Sequence, residues 1–136
     1  MSGFSTEERA TAWWSTDSRR AVTGKAFDVV AEKIGKAERA DLGHLEHVTM
    51  GLRMQDTIAK FAEEELGIRW KPLDDSTATH PQHDWMKSHG DYISEDRTAL
   101  LECKNYNGAY INAFSEPGEP VKVPEADLVQ LSLIHI

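Results

Sequence analysis

Asp91, Glu102 and Lys104 are the residues whose types and spacing could do chemistry together in this chain. Two carboxylates held side by side repel one another unless something positive lies between them, and a divalent cation is the obvious neutraliser. Mg²⁺ takes oxygen ligands and keeps several waters, so one or two carboxylates and a substrate phosphate suffice to hold it. A lysine beside such a pair can orient or deprotonate an attacking water and offset charge on a phosphate. The chemistry this set suggests is metal-assisted hydrolysis.

A hairpin must bring these residues together. Tyr92-Ile93 and the run from Thr98 to Leu101 are rich in strand formers, and the polar stretch from Ser94 to Arg97 connects them. With Asp96 and Arg97 at the tip, antiparallel pairing sets Asp91 opposite Glu102, with Cβ atoms ~5 Å apart. Strand alternation then puts Lys104 on the face of Glu102 and turns Leu101 and Cys103 the other way, into apolar packing. Glu102-x-Lys104 by itself also reads as a solvated strand face. Asp91 and the apolar Leu100-Leu101 shift the balance, because a strand apolar on its other face is partly buried and charges there need partners.

Gly90-Asp91 followed by Leu101-Glu102-Cys103-Lys104 resembles the Asp…Glu-x-Lys signature of the PD-(D/E)xK nuclease superfamily. The longer string His80-Pro81, Trp85-Met86, Gly90-Asp91-Tyr92-Ile93 is similar to the segment before that aspartate in phage-type exonucleases of the lambda-exonuclease-like, viral recombinase branch. The resemblance implies Mg²⁺-dependent hydrolysis of phosphodiester bonds in linear duplex DNA, with Mn²⁺ as a substitute. Asp91 and Glu102 would be metal ligands, the backbone carbonyl of Cys103 a further one, and Lys104 the catalytic lysine. It implies an α/β, restriction-endonuclease-like fold with N-terminal helices packed on a small mixed β-sheet. It also implies a homo-oligomer, a single-strand annealing protein as partner, and more chain than residues 1–136, which read as one nuclease-like domain incomplete at its C-terminus.

Residues 50–67 form the strongest helical pattern, with Gly67 as the C-terminal stop. Met54, Ile58, Phe61 and Ala62 make an apolar stripe; Gln55, Ala59, Ala62 and Leu66 line an adjoining face that could lie close to a sheet. Helices of the resembled family carry Gly-x-x-x-Glu here, the glutamate reaching the metal. This chain has Gly51-Leu-Arg-Met-Gln55. An amide oxygen can still ligate a hard cation but removes one negative charge, and Asp56 points about 100° away around the helix. Gln55 is therefore expected to line a site that binds fewer metals or binds them more weakly. The alternative is a catalytically degenerate nuclease domain that binds DNA ends or another protein. A third reading, a restriction-type endonuclease, would also cut covalently closed circles.

Upstream, residues 5–20 read as a short helix, with Trp13-Trp14 as core or docking residues rather than base-stacking ones. Residues 26–36 have helical spacing in Phe27, Val30, Ala31 and Ile34. Arg19, Arg20 and Lys25 around Thr23-Gly24 could cradle a phosphate at that helix start, and the segment is similar to the part of the family that grips the DNA end; an ordinary N-cap with solvated arginines is the other reading. Residues 68–70 read as a strand and 71–84 as a surface loop. His44-x-x-His47 could be a metal pair on a helix but has no third ligand nearby, and His80, His83 and His89 are too irregularly spaced for a zinc site. Pro124 opens a helix, and Gln130 either sits near the catalytic strand, as in the family's Pro-x-x-x-x-x-Gln pattern, or is a plain polar position.

Composition bounds the partners. The net charge of −8 argues against a protein that coats nucleic acid, but residues 1–71 carry 11 basic against 12 acidic residues while residues 72–136 carry 4 against 11. Phosphate-binding surface is thus expected in the first half. The lone Cys103 excludes an intrachain disulfide and a four-cysteine iron-sulfur cluster. No apolar run is long enough for a membrane and the N-terminus lacks signal-peptide character, so the chain reads as cytoplasmic.

Overall fold

The computed structural model describes residues 6–73, 77–106, 108–113 and 115–134. Bulky Trp13 and Trp14 break the first helical stretch: α1 (Thr6–Ala10) and α2 (Ser15–Arg20) flank a two-residue strand, β1 (Trp13–Trp14). The expected short helix over residues 5–20 is therefore two helices, because the tryptophans pair with a strand distant in sequence. The Trp14 amide donates to Asp17 Oδ2 at 2.9 Å, so an acid three residues into α2 satisfies a backbone donor at its start.

A wide turn over residues 21–25 leads into α3 (Ala26–Lys33). Here the expected apolar stripe faces outward: Phe27 is 83% exposed and Val30 and Ile34 are exposed, while Val29 is fully buried. Ion pairs set this orientation. Arg20 grips Glu32 through two hydrogen bonds of 2.7 and 2.8 Å, and Lys33 reaches the buried Asp17 at 2.7 Å. Residues 29, 32 and 33 share one helix face, so turning Glu32 and Lys33 inward carries Val29 with them. The helix ends in a Schellman arrangement: the Lys36 amide donates to the Ala31 carbonyl, the Gly35 amide to that of Glu32, and Gly35 takes the left-handed φ of 73° this requires.

α4 (Glu46–Leu66) starts earlier than its pattern suggests and stops at Gly67, φ 65°. Its small-residue side packs inward, with Ala59 buried beside Tyr92 and Cys103 and with Ile58, Trp70 and Leu101 against them. Phe61 and Leu66, placed on the apolar and adjoining faces by periodicity, are exposed.

Two three-stranded sheets replace the expected one. The first, in order β1-β4-β3, is mixed: β4 (Met86–His89) runs parallel to β1 and antiparallel to β3 (Thr77–Thr79). β3 lies inside the stretch read as a loop, since three residues without apolar alternation leave no strand signal. The second sheet is antiparallel, with β5 (Tyr92–Ser94) between β2 (Trp70–Pro72) and β6 (Leu100–Leu101). After α5 (Gly108–Asn112), α6 (Glu125–Ile134) packs on α2 and β4. The chain thus combines helices with small sheets as an α/β protein. Among the described residues no helix is long and apolar enough to cross a membrane.

Candidate active site

The hairpin that carries the candidate residues has the expected register. Tyr92 pairs with Leu101 and Ile93 with Leu100, so one step further Asp91 stands opposite Glu102. The tip holds it there. Ser94 Oγ accepts from the Thr98 and Ala99 amides, Asp96 Oδ1 accepts from the Thr98 amide and hydroxyl, and Arg97 turns the chain at φ 60°. Three hydrogen bonds to an exposed carboxylate hold Asp96 below its ordinary pKa, the Ser94 hydroxyl contributing most.

Asp91 is fixed by two donors: the Cys103 amide at 2.8 Å on Oδ2 and the Gln55 side-chain amide at 3.2 Å on Oδ1. Gln55 is therefore in direct contact with the aspartate, across from the hairpin on α4. Its neighbour Asp56 accepts from the Tyr92 hydroxyl at 2.5 Å; burial first and Asp56 second push that phenol's pKa up. Despite the angle between them on the helix, Gln55 and Asp56 both line a cleft of about 440 Å³ with Asp91, His89 and Arg53.

Glu102 forms a second group. Its Oε1 accepts from Lys104 Nζ at 2.6 Å and from Gln130 Nε2 at 2.8 Å, and Gln130 Oε1 in turn accepts from Lys104 at 3.1 Å. Gln130 is 3% exposed. Burial raises the Glu102 carboxyl above its ordinary pKa; Lys104 opposes this and Asp91 adds to it. Glu102 Oε2 is buried without a hydrogen-bond partner. Cys103 points the other way into the core, its thiol pushed up to about 12 by burial first and Asp91 second. Glu102 and Lys104 line a separate cleft of about 310 Å³, walled by Ile111, Val121, Val123 and Leu131. Asp91 and Glu102, opposite one another in register, thus line two different clefts, and the Cys103 amide that follows Glu102 donates to Asp91.

The three cations expected to share a phosphate are not gathered. Arg19 reaches α6, with Nε 2.9 Å from Asp127 Oδ1 and Nη2 3.0 Å from the Tyr106 hydroxyl, which donates to Asp127 Oδ2 at 2.6 Å. Arg20 is spent on Glu32, and Lys25 is exposed, 3.7 Å from Asp28. A one-residue step along α2 turns the adjacent Arg19 and Arg20 about 100° apart, to different sides, which the loose motif does not register. Arg19 is nonetheless close to the hairpin site, because Asp127 and Tyr106 line the same cleft as Glu102. Sequence reasoning missed Asp127 and Tyr106 as partners. Their signal, an acid in the first turn of α6 and an isolated tyrosine, has an ordinary helix-dipole explanation.

A metal fits the donor set only in part. The orphaned Glu102 Oε2, the Asp91 carboxylate and the Cys103 carbonyl are hard oxygen donors suited to Mg²⁺. Among the described residues no three His, Cys, Asp or Glu side chains group around one point fit for a metal ion. Gln55 presents an amide rather than a carboxylate to Asp91, and Asp91 and Glu102 line different clefts. Compared with known protein families, curated proteins and solved structures, the chain finds no match in any of the three.

Proposed function

We propose that this chain is a metal-dependent deoxyribonuclease that degrades linear duplex DNA from its ends, built on a restriction-endonuclease-like core. The observation that carries the reading is the pair of hydrogen-bonded groups meeting at the Cys103 amide: Gln55 with Asp91, and Glu102 with Lys104 and Gln130. Five side chains that the motif singles out from four separate segments fall into these two contacting groups, although nothing in ordinary strand chemistry requires a glutamate, a half-buried lysine and a buried glutamine to converge.

The residues take these roles. Asp91, Glu102 and the Cys103 carbonyl would hold Mg²⁺, which when bound supplies positive charge against the scissile phosphate. Lys104, kept in place by Glu102 and Gln130, orients the attacking water and takes up negative charge building on the phosphoryl oxygens. Gln130 keeps the Glu102 carboxylate aimed by donating to Oε1, leaving Oε2 for the cation. Arg19 stands ready on the flank to meet a backbone phosphate once it exchanges Asp127 for it.

A second reading is favoured by Gln55 itself. An amide donating to Asp91 replaces a negative charge, and the two carboxylates open onto different clefts. A domain of that kind binds DNA ends or a protein without cutting. Digestion of a 5′-phosphorylated linear duplex separates the two. The nuclease shortens it progressively with Mg²⁺ and not with EDTA, and Glu102→Gln or Lys104→Ala lowers the rate by about 100-fold or more. A folded chain that binds the duplex and leaves it intact in Mg²⁺ and Mn²⁺ is the binding module, and cutting of closed circles would mark an endonuclease.

A further inference from the structure

Between the end of α1, the end of α3 and the loop that follows lies a cavity of about 590 Å³ that shares no lining residue with the clefts beside Asp91 and Glu102. Its walls carry Arg9, Lys33, Lys36 and Arg39 against Glu32 and Glu38. Four cations in one cavity are unusual in a chain of net charge −8. Two of the nearby acids, Glu32 in the wall and Asp17 behind it, are already committed. Glu32 is held by both guanidinium nitrogens of Arg20, and Asp17, fully buried, takes Lys33 at 2.7 Å and lies 3.7 Å from Arg39.

The cluster is held in position as well as charged. Lys33 also donates to the Arg9 carbonyl, and its side chain is only 15% exposed. The Schellman end of α3 consumes the carbonyls of Ala31 and Glu32, which removes the partial negative charge a helix C-terminus would otherwise aim into the cavity. Burial first and the charge of Arg39 second disfavour the protonated form of Arg9, so the guanidinium groups repel through the cavity. An anion between them relieves that repulsion.

We infer that this cavity is a phosphoryl-anion site, in which the Arg9 and Arg39 guanidinium groups and the Lys33 and Lys36 ammonium groups hold a phosphate or a phosphodiester. A phosphate carrying between one and two negative charges matches the cationic excess, and guanidinium forks suit its oxygens. Asp17 acts as the anchor that arranges the cations and does not meet the ligand. This inference is independent of the nuclease reading.

The test is an amide chemical-shift titration of the full chain with three probes: inorganic phosphate, pyrophosphate, and a short duplex lacking terminal phosphates. Saturable shifts at Arg9 and residues 35–39 are expected. Lys36→Gln and Arg39→Gln should each weaken binding about tenfold, and Glu38→Gln should tighten it. Lys36 is exposed, so its variant keeps the test decisive should Arg39→Gln disturb folding. Saturation by phosphate or pyrophosphate assigns a free phosphoryl ligand; saturation by the duplex alone assigns a nucleic-acid backbone. No saturable shift at residues 35–39 with any probe, or binding indifferent to Lys36→Gln, overturns the inference.

Discussion

Glu102 sits in a place that disfavours charge. Burial raises its carboxyl pKa, Lys104 pulls it back, and Asp91 adds to the rise. The folded chain therefore binds this proton more tightly than the unfolded chain does. Stability from this group is present below the ordinary value near 4.5 and is lost as pH rises through the raised folded value. Denaturant unfolding in EDTA between about pH 4 and about pH 8 checks it: Glu102→Gln should gain on the parent as pH rises, and a gap that stays constant would disprove the linkage. Gln55 gives the converse case. Gln55→Glu sets a carboxylate where an amide now donates to Asp91, so without metal the variant should melt lower, by about 1–3 kcal/mol of stability. Added Mg²⁺ should then raise its melting temperature more than it raises the parent's. Equal Mg²⁺ responses would place the cation elsewhere. Strand alternation was enough to read Glu102, Lys104 and Cys103 into their directions. Asp127 and Tyr106 were not legible, because their shared partner Arg19 lies 108 and 87 residues away and no local period encodes such a contact.

Helical spacing identified α3 but chose the wrong face, since periodicity counts apolar residues and is blind to the pull of Asp17 on Lys33 and of Arg20 on Glu32. The two faces make opposite predictions. Val29→Ala empties a fully buried position and should cost about 1–3 kcal/mol, whereas Phe27→Ala removes a ring already 83% exposed and should stay within about 0.5 kcal/mol. Were periodicity right, the larger loss would fall on Phe27; urea unfolding of both variants decides. The β5–β6 hairpin was legible down to its register, because its strands are joined by one tight polar turn and carry β-formers on both sides. β1 and β4 were not. Their parallel pairing joins residues more than seventy apart, and a two-residue strand has no periodicity of its own.

At the scale of the molecule, α6 ties the parts together. Through Asp127 it holds Arg19 on α2, and through Gln130 it holds Glu102 and Lys104 beyond the hairpin. The charge that any DNA must meet follows from this wiring. The first half of the chain is nearly neutral and the second carries 11 acids against 4 bases, while Arg19 and Arg20 are already paired with Asp127 and Glu32. Outside the cavity of Arg9, Lys33, Lys36 and Arg39 few cations remain to neutralise phosphates, and on the proposed function the hairpin carboxylates would repel them until a divalent cation reverses the local sign. Duplex binding should therefore be weak in EDTA and tighten in Mg²⁺. Because each neutralised phosphate adds about −0.9 to the slope of log affinity against log salt, the slope at fixed Mg²⁺ should lie between about −1 and about −3. Binding by fluorescence anisotropy across a salt series measures it. A slope steeper than about −5, or equal affinity in EDTA, would require a broad basic surface that this distribution of charge does not provide.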